Sequence, residues 1–342
     1  VNTSKKMNNK IFIARRPSGL GDLICNLGAV YFFAKRYNGS ISIDWRKIVY
    51  NTKGDFFTMK DNPSNLFNSI FIQPEEINNV KFISPESDLT IWNNIIIPHL
   101  GVRHAYINEE DNKKETELYE LLIKNNNYIS VEQRVHESNQ IWKELHHAFF
   151  KINDLNGMFI EDFNLVNFIE KIKIQPNIKE KIDSFYEKNF IDNNIISIHM
   201  RYGNSKNKEP LHRPHKDDKW IDDDILLNVI KDSIKSFNIN QYKCFISCDN
   251  ERINNLLLNN IDNSFCYDKK FPNHNDGSIH MNENENPIQS FQESFIDMML
   301  LSKGNKIICT AHSVFSVFPA LKITNNYKNL ENYKQIFFDY YV

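Results

Sequence analysis

The run IISIHMRYGN, residues 195–204, closes a stretch of β-branched and apolar side chains with a histidine and an arginine. Side chains alternate across a strand, so Ile196, Ile198 and Met200 share one face while Ser197, His199 and Arg201 share the other. Arg201 stays charged at any working pH, and its planar fork matches a pair of phosphate oxygens. It reads as a pyrophosphate clamp or as half of a structural ion pair. His199 reads as a donor to a base or phosphate, or as a satisfied buried imidazole. In TAHSVF, residues 310–315, the strand pattern NKIICT runs into a predicted helix starting near Ser313. Unpaired amides and the dipole at such a helix end favour phosphate, and Thr310 and Ser313 add hydroxyl donors. The plainer role for Ser313 is an N-cap. In ESFIDMMLL, Asp297 interrupts an apolar helical segment. A buried carboxylate needs donors, and the adjacent N–H and NH2 of a guanine edge would supply two; the other reading turns Asp297 to solvent. Asp249, ending FISCD, reads first as an N-cap and second as a ligand.

Two loops add candidates. The turn PSGLGD lacks the G-x-G-x-x-G dinucleotide pattern and carries Asp22 where phosphates would dock, so a carboxylate would repel a pyrophosphate there. Gly19 and Gly21 are read as permitting a tight approach across a cleft, with Asp22 capping the helix or touching a sugar hydroxyl. The stretch YGNSKNKEPLHRPHKDDKW follows Arg201 directly, with Asn204 in its opening turn. Glu209 is its candidate base, since activating a sugar hydroxyl takes a carboxylate or imidazole within hydrogen-bond reach; a surface glutamate is the alternative. HRPH lacks helical facing and a third ligand for a metal, and Asp222 to Asp224, which by composition resemble a sugar-nucleotide metal motif, read rather as the start of the next helix.

The elements that must hold these residues follow from periodicity. KIFIARR is strand-like, Leu20, Leu23, Ile24, Leu27, Val30 and Tyr31 recur at helical spacing, and GSISIDWR is a second strand, which together make one βαβ unit. Residues 51–94 are hard to read. NNIIIPHL is read as a strand, 114–124 as a helix, NYISVEQRV as a strand and NQIWKELHHAFF as a helix. NIKEKIDSFYEKNF is amphipathic. Beyond it, NIISIHMR, a helix from Asp222, KCFISCD, a helix from Asn250, SFCYD, a helix from about Ile288, NKIICT and a helix from Ser313 alternate, as in a doubly wound sheet of four strands. Ligands bind at the carboxyl ends of such strands, where His199 and Arg201 lie.

Bulk numbers narrow the function classes. The 342 residues suit two α/β domains, here 1–188 and 189–342. With 41 basic against 43 acidic residues and a formal charge of −2, no field is available to wrap nucleic acid, so any anion is held locally. Five cysteines in apolar runs read as reduced thiols. The opening VNTSKKMNNK has no apolar segment of signal-peptide length, and no run reaches the roughly 18 to 20 apolar residues of a membrane span. A soluble, cytoplasmic chain with no membrane span is expected, its oligomeric state open.

RRPSGLGDLICNLGAVYFFAKRYNGSISIDWR, ISIHMRYGN, FISCDNERI and SFIDMMLLSKGNKIICTAHSVFSV together resemble, in order, the nodulation-type α1,6-fucosyltransferases and, more distantly, the eukaryotic core α1,6-fucosyltransferase. The resemblance implies a GT-B fold of two Rossmann-like domains facing each other across a cleft. It implies an acceptor-side N-terminal domain, a C-terminal domain binding GDP-fucose, and inverting transfer to a glycan hydroxyl without metal or cofactor. It assigns Arg201 to the donor's β-phosphate, His199 and Asp297 to guanine, Ser313 to a phosphate and Glu209, eight residues after the arginine, to the base. Tyr202 stands where the core enzyme has a second arginine. The alternatives are a GT-B transferase with another nucleotide sugar, or a catalytically silent nucleotide- or glycan-binding protein.

Overall fold

The computed structural model describes residues 10–14, 19–46, 65–84, 128–130, 164–202, 223–271, 286–310, 313–325 and 329–336. The chain divides into two compact units. One comprises Val1–Arg16, Asp22–Lys47 and Phe71–Lys173, the other Pro17–Gly21, Ile48–Ile70 and Ile174–Val342. The readings of NNIIIPHL, residues 114–124 and NQIWKELHHAFF fall outside the described residues, as do Asn204, Glu209, the HRPH stretch and Asp222.

In the first unit, β1 (Ile11–Ala14), helix α1 (Leu20–Arg36) and β2 (Ser40–Ile43) form the expected βαβ unit, with β1 and β2 parallel in the register Ile11 to Ser40. β5 (Tyr128–Ser130) pairs with β1, and β4 (Val80–Ile83) with β2, both parallel. β3 (Glu76–Ile77) adds an antiparallel edge through the turn at Asn78 and Asn79, whose φ values of 48° and 68° asparagine tolerates better than most residues. The sheet order is β3-β4-β2-β1-β5. A short helix α3 (Leu165–Ile169) belongs to this unit, and its Phe168 ring stacks on Tyr31 at 4.0 Å.

The second unit carries the sheet that matters for the site. After a single turn α2 (Phe67–Ile70) and helix α4 (Pro176–Asn189) come β6 (Ile195–Met200), α5 (Asp223–Lys235), β7 (Lys243–Cys248), α6 (Glu251–Asn260), β8 (Ser264–Cys266), α7 (Pro287–Leu301), β9 (Lys306–Thr310), α8 (Val317–Ile323) and β10 (Tyr333–Ile336). The order β10-β9-β6-β7-β8, all parallel, starts in the middle and grows first one way and then the other. The reversal falls between β6 and β9, so the crevice outside their carboxyl ends is where ligands are expected to bind. Sequence periodicity found four of these strands; β10 is the fifth.

Alternation sorts the two faces of this sheet. Ile196, Ile198, Met200, Cys244, Ile246 and Cys248 join a core with Leu226, Ile230 and Ile234 of α5 and Ile253 and Leu257 of α6. On the other face Phe245 meets Phe185 of α4 at 6.0 Å, and Ser197 donates through Oγ to Leu301 O of α7 at 2.8 Å. Helix starts follow capping chemistry. Asn250 accepts from Ile253 N at 3.0 Å and Asn286 from Gln289 N at 3.1 Å, with Pro176 and Pro287 in the first turns of α4 and α7.

The helical run read from Ser313 does begin there, with Ser313 in the N-cap position, but it opens as a 3-10 turn, Val314–Ser316, and becomes α-helical only in the seven residues of α8. Pro319 explains this, because it has no N–H for the carbonyl of Phe315 and its ring crowds that carbonyl, so α-geometry cannot run back to Ser313. Among the described residues no helix is long and apolar enough to cross a membrane.

Candidate active site

The register places His199 of β6 beside Ser247 of β7 and Cys309 of β9. His199 is 4% exposed, and its ring stacks on Phe315 with centroids 5.0 Å apart and planes at 27°. Its Nδ1 is buried without a hydrogen-bond partner. Burial pulls the imidazole down to about 3; Asp249 works against that, while Arg201 and Lys269 add to it. His199 is therefore a neutral ring with an unused polar atom.

One residue past the strand, Arg201 donates its backbone N–H to Thr310 Oγ1 at 2.9 Å, and that hydroxyl donates to His199 O at 3.2 Å. Thr310 thus ties the ends of β6 and β9 together, and its proton is directed at the protein itself. The Arg201 guanidinium pairs with the Asp249 carboxylate, whose other oxygen takes Tyr202 N–H at 2.7 Å. The Arg201 side chain is 31% exposed, so it pairs with Asp249 yet reaches the surface. The N-cap reading of Asp249 is corrected: Asn250 caps α6, and Asp249 instead holds the chain leaving β6.

Asp297 is not solvent-facing. It is 2% exposed on α7, between the buried Ile296 and Met298. Its Oδ2 accepts from Ser247 Oγ at 2.9 Å and from the Lys269 ammonium, while Oδ1 is buried with no partner. Burial would lower Lys269, but Asp297 beside it, with Cys248 and Asp249, leaves the ammonium above its ordinary range. Ser313 is buried, and its side chain makes no capping hydrogen bond. Gly21 makes a close approach, since a Cβ there would lie 2.5 Å from Phe315 N, whereas a Cβ on Gly19 would meet nothing within 4 Å. Asp22 sits in the first turn of α1, where a carboxylate suits the helix dipole.

The arrangement joins a neutral imidazole, a buried carboxylate with a vacant acceptor and an arginine at one end of one sheet. A family model described as Nodulation protein Z (NodZ) matches residues 146–333, more than half of the chain. The chain belongs to the NodZ family. Membership places it among the nodulation-type fucosyltransferases, and so among the glycosyltransferases, with a GT-B fold. The chain is 22% identical over 328 residues to Nodulation protein Z of Azorhizobium caulinodans, spanning 91% of this chain and 88% of that one. Against Nodulation protein Z of Bradyrhizobium diazoefficiens it is 25% identical over 243 residues, spanning 68% of this chain and 56% of that one. The crystal structure of NodZ α-1,6-fucosyltransferase soaked with GDP-fucose superposes with a TM-score of 0.56 at 19% identity, covering 92% of this chain and 93% of that one. A NodZ structure co-crystallized with GDP gives 0.56 at 20% identity, with the same coverage.

Within this NodZ family member, sequence reasoning missed Ser247, Lys269 and Phe315. Alternation in KCFISC does put Ser247 on the face of Phe245, but only the β6–β7 register brings it to His199. Lys269 has no local signal, since Lys270 beside it is exposed. Tyr202 is buried in the core, and its hydroxyl accepts from Arg252 Nη2 at 3.2 Å, while Arg252 Nη1 donates to Asp223 at 2.6 Å. Among the described residues no group of three or more His, Cys, Asp or Glu side chains is placed to hold a metal ion.

Proposed function

We propose that this chain moves fucose from GDP-fucose to a glycan hydroxyl, with inversion and without a metal, as an α1,6-fucosyltransferase does. The observation that carries the reading is the vacant Asp297 Oδ1 and the neutral His199, linked through Ser247, which pairs with His199 across the sheet and donates to Asp297, with Arg201 at the same strand end, in a NodZ family member. In this reading the C-terminal part from 189 holds the donor and residues 1–188 serve the acceptor. Asp297 accepts the N–H and NH2 of guanine, and His199 contacts the base. Departure of the diphosphate builds negative charge on its oxygens while positive charge grows on the sugar, and a fixed guanidinium stabilises that leaving charge without a cation from solution. Asp249 aligns Arg201 for this role, Thr310 fixes its backbone, and Ser313 offers a hydroxyl to the phosphates. Glu209, or another group of its segment, takes the acceptor proton as the hydroxyl attacks from the opposite face, and Asn204 approaches the donor from the same segment.

Calorimetric titration with GDP, GDP-fucose, GDP-mannose, ADP and UDP, followed by transfer assays on an acceptor array in EDTA, tests the reading. GDP-fucose binding and EDTA-resistant transfer are expected, with Arg201→Ala lowering kcat/KM by about 100-fold or more. Tighter binding of ADP or UDP than GDP would replace the donor, and loss of transfer in EDTA would restore a metal to the mechanism.

A further inference from the structure

The Asp297 carboxylate presents a problem that its own helix does not solve. Phe291, Phe295, Ile296, Met298, Leu300 and Leu301 surround it in sequence as buried apolar residues. A charge at that depth persists only with a counter-charge and hydrogen bonds. Both come from outside α7. The Lys269 side chain, 7% exposed and with its ammonium 5.1 Å from the Phe271 ring centre, reaches Oδ2 from the segment after β8. Ser247 Oγ reaches the same oxygen from β7. Two donors converge on Oδ2, and Oδ1 is left as an acceptor with no partner.

We infer that Lys269 is a positioning residue that holds Asp297 as an ionised, two-oxygen acceptor and thereby selects a nucleobase edge offering two adjacent donors. The inference rests on the reading in which Asp297 meets the base. A carboxylate accepts from both a ring N–H and an exocyclic NH2, as guanine presents them; a protonated carboxyl offers one donor and one acceptor and favours an edge such as adenine's. Lys269 thus acts on specificity through charge. The other titratable groups around the pair are His199 from β6, Cys248 and Asp249 from the end of β7, and Cys266, Tyr267 and Asp268 from β8 and its extension, with Glu293 on α7 itself. None of these replaces the ammonium: His199 is held neutral, and the thiols and Tyr267 are pushed towards their neutral forms by burial.

The test is GDP and ADP binding to full-length wild type, Lys269→Met and Lys269→Arg between pH 6.5 and 9, with Asp297→Asn alongside. Wild type and Lys269→Arg are expected to prefer GDP with little pH dependence. Lys269→Met should bind GDP about 10-fold or more weaker than wild type and lose its preference over ADP. Should Lys269→Met not fold, Lys269→Gln keeps much of the volume and a hydrogen bond without the charge, and the same loss of GDP preference is expected. If the neutral variants bind GDP as wild type does at every pH while Asp297→Asn does not bind, the role of Lys269 is overturned and the base reading survives. If Asp297→Asn binds GDP unchanged, the base reading falls first.

Discussion

Acid should destabilise the second unit through His199. An unfolded chain takes up a proton on this imidazole near pH 6.5. In the folded state, burial holds it down to about 3, so between those values the unfolded state binds more protons and stability falls as pH falls. The contribution is fully present above pH 6.5 and is lost on the way to pH 3. Each unit is worth about 1.4 kcal/mol, so lowering the pH from 7.5 to 5 costs roughly 2 kcal/mol from this residue alone. That is a large share of a typical domain stability of about 5–15 kcal/mol. At a urea slope of about 2 kcal/mol per molar, the midpoint should move down by roughly 1 M. The two units need not unfold together, so hydrogen exchange of the peptide spanning 195–200 across a urea series is the suitable readout. His199→Gln, neutral throughout, should lack this component and have a flatter pH profile. Equal losses in wild type and variant between pH 7.5 and 5 would refute the claim that the ring is held neutral.

Gly21→Ala places a methyl against the backbone of Val314 and Phe315, which cannot yield as a side-chain tip can. A cost of about 1–3 kcal/mol is expected, read as a lowered melting temperature, together with weaker GDP binding because Phe315 supports His199; an unchanged melt contradicts the packing. Arg252→Met removes an ion pair whose partners are 49% and 40% exposed, so solvent screening holds the loss below about 1 kcal/mol. A loss of 3 kcal/mol or more in chemical denaturation would show that the bond to Tyr202 is far stronger than its exposure implies.

What the sequence disclosed divides by physical range. The alternation of IISIHMR and the helical spacing of DDILLNVIKDSIK are local, so β6 and α5 were legible, and the position of Arg201 at the end of a strand came with them. The cap at Asn250 was misplaced onto Asp249 because adjacent residues both have capping side chains, and only the bond from Ile253 N tells them apart. The start near Ser313 was legible, but not that its first turn is 3-10, since a proline in the first turn of a helix is also an ordinary start. Edge strands β3 and β10 are short and weakly patterned. Their pairing with Val80–Ile83 and with Lys306–Thr310 defines them more than their own composition does.

The site shows the same division at the level of single atoms. Sequence pointed to a carboxylate at 297 and to the need for donors, but it could not name them, because Ser247 and Lys269 arrive from 50 and 28 residues away. Both converge on one oxygen, and that asymmetry is what leaves the other vacant. A carboxylate fully satisfied by the protein would be a structural ion pair, and one with no internal partner would not stay charged at 2% exposure. Half-satisfaction is the state that keeps the charge and still leaves an acceptor. The Arg201 to Asp249 pair adds a fixed cation at the same strand end: the carboxylate holds the guanidinium, whose fork and partial exposure suit a diphosphate. The ion pairs at this strand end are therefore the means by which charged groups wait in place, and removing either internal partner should harm ligand binding before it harms the fold.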